Sequence, residues 1–325
     1  MSQLGVTFGS LAVLGTRSVI DIAKLADEMG YTSLWTVEAT GTDAFSLLGA
    51  VSATVPTMGL GTGIVPVQLR TPPLAAMTAA TLQALSPDAD VLLGLGVSAP
   101  GILRGHGAEN PSRPIGMMRE YVALLRECLS GESVTFEGDF WSVKRFRLAI
   151  RQGERRPKIV MAALNPQMLK LAGEVADGVL LNYIPASHVP EAVAQVRKGG
   201  DAEIMCYVHA AVGDIERSAR SARRDLFNYS MADGYAKMFR AAGFSAEVDA
   251  LRARQAERDT DGALAAISEE MIQAINFIGS GAEVTDFVQT YIDAGVQYPI
   301  LMPMPWGEDR LQVTKDVMAA AAGVL

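Results

Sequence analysis

Residues 60–70 read LGTGIVPVQLR. This stretch places two glycines and a β-branched pair at the end of a buried strand. Glycine inside a strand usually marks a bulge or a place where a ligand approaches the backbone closely. Gly61 and Gly63 leave no side chain in the way of such an approach. The pattern returns at residues 90–98, DVLLGLGVS. Two apolar strands that each end in small residues predict a flat ligand lying across the strand ends.

Working outward from this stretch, apolar runs typical of strands alternate with segments of helical periodicity. The strand predictions are residues 4–8, 32–37, 59–67, 91–97, 158–162, 178–182, 204–212 and 299–302. The helix predictions are residues 17–29, 44–55, 74–85, 115–128, 166–176, 189–198, 215–229 and 282–294. Eight strands alternating with helices predict a parallel sheet, most simply a (β/α)8 TIM barrel. An open doubly wound sheet is the alternative.

Three stretches interrupt this rhythm, and they predict insertions near residues 99–113, 133–150 and 231–266 of a single domain that spans residues 1–325. The second insertion has the pattern of a β-hairpin, with Glu137-Gly138-Asp139 as its turn. The third is polar, charged and helical in pattern, and we expect it to lie over one end of the barrel.

Composition limits the classes of function. The chain has 325 residues, 49% of them hydrophobic, and a net charge of −8, which disfavours nucleic acid as a partner. No run approaches the roughly 18 apolar residues of a membrane span, and the N-terminus lacks the pattern of a signal peptide. Two cysteines, Cys128 and Cys206, do not make a disulfide framework, and the three histidines lack metal-ligand spacing. These features predict a soluble, cytoplasmic protein with no metal site, and they say little about a small-molecule substrate.

Barrel enzymes place their active sites at the C-terminal ends of the strands, so we look for chemistry there. Glu38 follows the second strand and could contact a cofactor or act as a base, or could simply cap a helix or form a salt bridge. His106 lies between glycines after the fourth strand and could titrate near neutral pH, or could be an ordinary exposed loop residue. Tyr183 is a weaker third acid/base candidate. His188 and His209 are predicted to be structural.

A phosphate site is predicted where Ala163-Leu164-Asn165-Pro166 enters a helix, because free N–H groups at a helix N-terminus bind anions. Ordinary capping by Asn165 is the alternative. Asp177-Gly178 precedes a strand as a tight turn whose backbone could also line the phosphate. The first strand lacks GxGxxG, and the chain has no GxxxxGK[ST], GxSxG or HExxH motif, which disfavours Rossmann and P-loop sites.

Four segments resemble the luciferase-like monooxygenase superfamily, most closely its actinobacterial branch that uses the deazaflavin coenzyme F-420, also written F420. They are residues 60–87, LGTGIVPVQLRTPPLAAMTAATLQALSP; 93–100, LGLGVSAP; 113–141, RPIGMMREYVALLRECLSGESVTFEGDFW; and 171–182, LAGEVADGVLLN. The resemblance covers nearly the whole chain in the right order. It implies a (β/α)8 barrel with insertions and either deazaflavin-dependent oxidoreductase or flavin monooxygenase chemistry.

The resemblance also assigns roles to residues. It implies a non-prolyl cis peptide at Gly63-Ile64 in a bulge that includes Val65, with Ile64 pressing on one face of the cofactor ring. It further implies that Ser98 contacts the ring or its ribityl chain. The residues that match the family's phosphate region are Ala163, Leu164, Asn165, Asp177 and Gly178.

Two positions depart from the family pattern, and they bear on catalysis. Several deazaflavin enzymes carry Asp-His after the second strand, where this chain has Glu38-Ala39. Glu38 could keep the cofactor contact, but Ala39 cannot transfer protons. Asn165 stands where relatives often have glycine, which affects the expected phosphate geometry.

Three functions remain open at this point. The leading hypothesis is an F420-dependent oxidoreductase that transfers a hydride between the cofactor and a small organic substrate, with Glu38 and His106 as acid/base groups. The second is an FMN-dependent monooxygenase of the same fold, and the third a non-catalytic flavin-binding barrel. The resemblance and the apolar helices at residues 44–55 and 74–85 also predict a homodimer.

Overall fold

A closed barrel of parallel strands forms the centre of the molecule in the computed structural model, which describes residues 3–109 and 112–325. The strands of the barrel are β1 (Gly5–Thr7), β2 (Ser33–Thr36), β3 (Gly59–Thr62), β4 (Val65–Pro66), β5 (Val91–Gly96), β8 (Lys158–Ala162), β9 (Gly178–Leu181), β10 (Glu203–Val212) and β12 (Tyr298–Pro303). Because β10 pairs with both β9 and β12, and β12 pairs with β1, the sheet closes on itself. The predicted TIM barrel is confirmed, and the open sheet is excluded.

The third position of the barrel is filled by two short strands rather than the single strand predicted for residues 59–67. β3 pairs with β2 and β5, whereas β4 pairs with β5. Between them the Gly63–Ile64 peptide bond is cis, as the resemblance implied. The N–H of Gly63 donates to the carbonyl of Thr36, and the carbonyl of Ile64 accepts from the N–H of Glu38. These bonds attach the break between β3 and β4 to the end of β2.

Helices cover the outside of the barrel. In chain order they are α1 (Ser18–Glu28), α2 (Ala44–Thr54), α3 (Pro72–Leu85), α4 (Pro100–Gly105), α5 (Pro114–Leu129), α6 (Pro166–Val175), α7 (Val189–Arg197), α8 (Ile215–Ser230), α9 (Asp233–Ala241), α10 (Ser245–Ala256), α11 (Thr260–Ala265), α12 (Glu269–Ile275), α13 (Gly281–Asp293) and α14 (Arg310–Ala321). Short-range polar contacts set several of their ends. The Asp43 side chain caps α2, and Ser280 with Glu283 forms a capping box at α13. No helix among the described residues is long and apolar enough to cross a bilayer.

The insertions have the predicted secondary structure. Residues 134–148 contain the hairpin of β6 (Val134–Glu137) and β7 (Ser142–Phe146), held by the Glu120 carboxylate, which accepts three N–H bonds from residues 139–141. Residues 231–266 form α9, α10 and α11. The sequence did not predict α4, α12, α14 or the strand β11 (Asn276–Gly279). β11 pairs with residues 209–212 of β10, beyond the point where β9 leaves it.

The core has two layers. The side chains that fill the barrel interior are Trp35, Leu92, Val160, Leu180, Met205, Tyr207, Tyr298 and Ile300, with Ile64 and Met302 packed against them. A larger apolar layer lies between the strands and the helices. The interior explains Gly61, because a Cβ there would overlap the Trp35 ring. That glycine therefore makes room for the core rather than for a ligand.

Candidate active site

A cavity of about 790 Å³ opens at the C-terminal ends of the strands, where barrel enzymes carry their sites. Its walls come from the ends of barrel strands on all sides and from the helices α4, α6, α8, α9 and α14. It brings together most of the residues predicted from the sequence to bind the cofactor. Those that line it are Glu38, Gly63, Ile64, Ser98, Ala163, Leu164 and Asn165.

Three of the predicted cofactor residues lie elsewhere. Val65 is fully buried and packs in the outer apolar layer. Asp177 directly precedes β9 and Gly178 is its first residue, so both lie at the N-terminal end of the barrel, opposite the cavity. There Asp177 accepts from the N–H of Ile159 at 2.7 Å and from Arg126 at 2.8 Å. The expected contribution of this turn to the phosphate site is therefore corrected: residues before a parallel strand cannot reach a site built after the strands.

Ile64 provides an apolar wall of the cavity. Its side chain packs against the barrel interior and fills the space that Gly96 leaves open, where a Cβ would lie 3.3 Å from Ile64 atoms. The Tyr207 hydroxyl donates to the carbonyl of Gly63 at 3.3 Å. A Cβ at Gly63 would overlap this hydroxyl, so glycine is required for the close approach. The wall is thus fixed from behind by the barrel core.

Glu38 is held by an arginine that the sequence analysis did not single out. Arg70 donates from Nε to both carboxylate oxygens of Glu38, at 3.2 and 3.0 Å, and from Nη2 to Asp43 at 2.6 Å. Its guanidinium also lies 4.5 Å from the centre of the Phe45 ring. The Glu38 and Arg70 side chains are each 15% exposed. Arg70 is the last residue of the stretch 60–70. Its position just after the third strand was the one feature of the sequence that could have placed it near the site.

His106 lies at the end of the short helix α4, where the sequence predicted a loop. Its side chain is exposed and does not line the cavity, although Ile102 of the same helix does. Its Nε2 is hydrogen-bonded to the carbonyl of Ala39. Because a carbonyl only accepts, Nε2 carries a proton in this arrangement. The histidine thereby ties α4 to the segment after β2.

The N-terminus of α6 opens onto the cavity next to Ala163 and Leu164. Asn165 occupies the capping position, but its side chain makes no capping bond. Its Nδ2 donates instead to the carbonyl of Gly234 in α9 at 3.3 Å. The first N–H groups of α6 therefore lack a side-chain partner, which suits an anion. Ordinary capping by Asn165, the alternative considered from the sequence, is not what the side chain does.

The same cavity is lined by three aromatic side chains that form what we call the tyrosine cluster, Tyr183, Tyr229 and Tyr235. The Tyr183 ring lies between Tyr229 and His209, with ring centres 3.8 and 4.0 Å away, and Tyr235 packs edge-on against both tyrosines of this stack. Tyr183 has a φ of 52°, an uncommon value for a residue with a side chain, which often marks a functional position. The sequence suggested only Tyr183, from its place at a strand end.

Asp225 of α8 lies beside this cluster and lines the cavity. Its Oδ2 accepts from the Tyr183 hydroxyl and from Asn276 Nδ2, both at 2.8 Å. Burial raises the pKa of the Asp225 carboxyl. Burial also lowers the pKa of His209 to about 3, so this histidine is neutral at physiological pH, in line with the structural role predicted for it. Sequence reasoning missed Asp225, because a lone aspartate in a charged helix carries no signal.

Buried polar atoms without partners collect in the same region. Among the described residues these include Asn182 Oδ1, Asn276 Oδ1 and His209 Nε2. Asn182 Nδ2 donates to the Tyr235 hydroxyl at 2.9 Å, so its amide is held while its oxygen stays unpaired. Of these three residues only Asn182 lines the cavity, so its unpaired Oδ1 is an acceptor that a polar ligand there could use.

Comparison with known proteins agrees with the geometry. A model of the luciferase-like monooxygenase family matches residues 7–298. The chain is 26% identical over 304 residues to 5,10-methylenetetrahydromethanopterin reductase of Methanolobus tindarius, covering 90% of this chain and 92% of the relative. It is 29% identical over 178 residues to F420-dependent glucose-6-phosphate dehydrogenase of Microbacterium testaceum, covering 51% of this chain and 52% of the relative.

A solved structure shares the fold. Coenzyme F420-dependent tetrahydromethanopterin reductase from Methanopyrus kandleri superposes with a TM-score of 0.80 at 20% identity, covering 98% of this chain and 97% of that chain. The barrel and its insertions are therefore a known architecture.

Proposed function

We propose, since the chain belongs to the luciferase-like monooxygenase family, that it is an F420-dependent oxidoreductase that transfers a hydride between the cofactor and a small organic substrate. One observation carries the proposal: the cavity combines an apolar wall at Ile64 with a helix N-terminus left free by Asn165. A flat ring with a phosphate-bearing tail needs both features. The F420-dependent name of one relative supports this choice of cofactor.

The residues present fit such a cofactor. Ile64 and Gly63 would lie against the ring, and Ser98 would contact the ring or its ribityl chain. The N–H groups that follow Asn165 in α6 would hold the phosphate. When bound, F420 supplies the hydride chemistry, while the protein binds and orients both reactants and excludes water.

Glu38 and His106 were proposed from the sequence as acid/base groups, and their contacts support positioning roles. The Glu38 carboxylate is paired on both oxygens by Arg70, so a proton exchanged there would break that pair. His106 fixes the carbonyl of Ala39 beside the cavity rim. Under this proposal both residues set the shape of the site, and a separate group exchanges the proton.

A side-by-side titration tests the cofactor. The protein is titrated with F420 and with FMN while the fluorescence of each cofactor is followed. We expect the Kd for F420 to be at least about tenfold lower, a difference of about 1.4 kcal/mol. FMN binding that is as tight or tighter favours the monooxygenase alternative. F420 binding without turnover on a panel of alcohols, aldehydes and ketones favours a non-catalytic barrel.

The protein is also proposed to form a homodimer through α2 and α3. Neither helix contains a charged residue, and α3 exposes Leu74, Met77 and Leu85. Apolar residues grouped on one exposed face mark protein interfaces. Light scattering at micromolar concentration should give a dimer, and Met77→Glu should give a monomer. A wild-type monomer would contradict the proposal.

The cytoplasm is the proposed location. Cys128 and Cys206 are both buried free thiols, which suits a reducing compartment.

A further inference from the structure

Within the proposed function, on which this inference rests, the site needs a group that exchanges a proton with the substrate. Glu38 is paired with Arg70, His106 is bonded to the carbonyl of Ala39, and His209 is buried beneath Tyr183. Among the described residues, Glu38 and Asp225 are the two carboxyl groups that line the cavity, so Asp225 is the remaining candidate. We propose that Asp225 exchanges the proton with the substrate oxygen, and that Tyr183 and Asn276 position it.

The hydrogen bonds of Asp225 leave one oxygen available. Tyr183 and Asn276 both donate to Oδ2, and no group among residues 3–109 and 112–325 donates to Oδ1. Because two donors fix Oδ2 from different elements, the end of β9 and β11, the carboxyl plane cannot rotate freely. Oδ1 is therefore presented at a constant position on a wall of the cavity.

The surroundings of Asp225 are aromatic and uncharged at neutral pH. The titratable groups around it are Tyr183, Tyr229, Tyr235 and His209. In the part of the chain that the structure describes, no lysine or arginine forms an ion pair with it. The only cation that lines the same cavity is Arg310 of α14, again among the described residues. A carboxyl group buried without a cation costs stability, and such a cost is typical of a functional group.

This environment selects the substrate class. A carboxyl group among tyrosines repels a substrate whose reacting end is anionic, and it accepts a neutral hydroxyl or carbonyl oxygen by hydrogen bonding. The substrate is therefore an alcohol, or in the reverse direction a ketone or aldehyde. The hydride from the carbinol carbon would pass to bound F420; Asp225 Oδ1, in its deprotonated form, would take the O–H proton as the C–O bond becomes C=O. In the reverse reaction the protonated carboxyl returns that proton to the oxygen.

The first test needs no cofactor. Infrared difference spectra recorded against pH follow the carboxyl C=O stretch of the cofactor-free protein, and the Asp225→Asn variant identifies the band. We expect this band to titrate well above the ordinary aspartate pKa of about 3.9. Tyr183→Phe should raise its pKa further, because it removes a donor to the charged form. Titration near the ordinary value would overturn the proposal.

The second test uses the enzyme with F420 and an alcohol that it oxidises. Asp225→Asn keeps an oxygen acceptor for Tyr183 and Asn276, so the fold should be retained. We expect kcat to fall about 100-fold or more and the dependence of kcat on the carboxyl pKa to disappear, with the Kd for F420 changed by less than about twofold. Tyr183→Phe should move the acid limb of the pH profile upward, which a purely structural tyrosine would not do.

Matched controls separate the possible failures. Asp286→Asn changes an exposed aspartate on α13, and Tyr31→Phe removes a buried hydroxyl that bonds to Met318 far from the cavity. Both should leave kcat and its pH profile unchanged. Wild-type kcat in Asp225→Asn would overturn the role of Asp225 while the proposed function stands. Failure of the wild type to bind F420 would overturn the proposed function, and the infrared titration would still decide whether Asp225 is a poised carboxyl.

Discussion

Aspartates at the two ends of the barrel have contrasting partners, Asp90 and Asp177 at the N-terminal end and Asp225 at the C-terminal end. At the N-terminal end, Asp90 pairs with Arg155 at 2.6 Å and with Lys158 at 2.9 Å. Asp177 at the same end receives a backbone N–H and an arginine. At the C-terminal end, Asp225 has two neutral donors and, among the described residues, no cation. Charge is compensated at Asp90 and Asp177, as it is at Glu38 through Arg70, whereas Asp225 has no such compensation among the described residues.

The difference identifies Asp225 as a position where the chain keeps a carboxyl group that lowers stability and is available for chemistry. In barrel enzymes the N-terminal face carries stabilising interactions and the C-terminal face carries the site. Asp90 and Asp225 follow that division, because Asp90 has cationic partners and Asp225 has neutral donors. A carboxylate with cations and backbone donors stays charged, whereas one among tyrosines binds a proton more readily. A substitution at one end of the barrel can therefore be checked for an effect on stability or cofactor affinity at the other end.

The largest effect is expected at the C-terminal end, for Gly63→Ala. The added methyl group overlaps the Tyr207 hydroxyl and lies 3.0 Å from Leu180, so the wall at Ile64 must move. We expect the affinity for F420 to fall about 100-fold or more, close to 2.7 kcal/mol. Fluorescence titration measures it, with circular dichroism to confirm that the variant is folded.

The control for this prediction is Gly105→Ala, where nothing lies within 4 Å of the new Cβ. Its affinity for F420 should match that of the wild type. Tyr207→Phe removes the overlapping hydroxyl, so adding it to Gly63→Ala should recover part of the affinity. Unchanged binding by Gly63→Ala alone would show that the cofactor does not use this wall.

At the N-terminal end, Asp177→Asn should affect folding and spare the site. The substitution puts an amide where the carboxylate accepts from Ile159 N–H and Arg126. We expect the free energy of unfolding to fall by about 1–3 kcal/mol, the usual cost of a lost charged hydrogen bond. Urea unfolding measures this loss, and F420 affinity should stay constant. A weakened affinity would return Asp177 to the cofactor site where the sequence placed it.

Glu38→Gln should have a smaller effect at the cavity rim. The glutamine keeps the shape of the side chain but removes the charge that holds Arg70, which still has Asp43 as a partner. We expect a loss of F420 affinity of about tenfold or less, with kcat nearly unchanged. Asp43→Asn, which disturbs Arg70 from its other side, should behave similarly. A fall in kcat of about 100-fold would instead identify Glu38 as an acid/base group.

The fold was predictable because it follows from local patterns. Alternating apolar runs and helical periodicity gave eight strands and the helices between them, and a closed barrel is the simplest way to bury both faces of parallel strands. β11 was missed because residues 276–279 continue directly from α12 without a turn signal. Its strand character depends on pairing with the free end of β10, a tertiary contact that no local pattern encodes.

The site was predictable only where it follows strand ends. Gly63, Ser98 and Asn165 were found because a barrel gathers such positions at one face. Asp177 was misplaced because the family resemblance was followed, although the strand predicted for residues 178–182 already puts this residue before a strand and so at the end opposite the site. Asp225 was missed because its partners Tyr183 and Asn276 lie 42 and 51 residues away along the chain. Long-range polar clusters of this kind emerge from packing and not from sequence spacing.

The smallest expected effect concerns stability as a function of pH. The contributions of Asp90 and Asp225 should change with pH in opposite directions. Burial opposes ionisation of Asp90, but Lys158 and Arg155 outweigh it, so its pKa is lowered. The Asp90 contribution is therefore present above the unfolded pKa of about 3.9 and is lost as pH falls through the lower folded value. Asp225 behaves oppositely, because its pKa is raised by burial. Its contribution is present below about pH 3.9 and is lost as pH rises through the folded pKa.

The two isosteric variants should consequently diverge. Asp90→Asn should cost about 1 kcal/mol or less at pH 7, because the side chain is 35% exposed, and the cost should shrink as pH falls below the unfolded pKa of about 3.9. Asp225→Asn should gain stability relative to the wild type as pH rises from about 4. Urea unfolding of both variants and the wild type at several pH values between about 3 and 7 measures the two differences. Parallel curves for the two variants would mean that the charges of Asp90 and Asp225 are compensated equally, which would remove the physical basis for assigning proton exchange to Asp225.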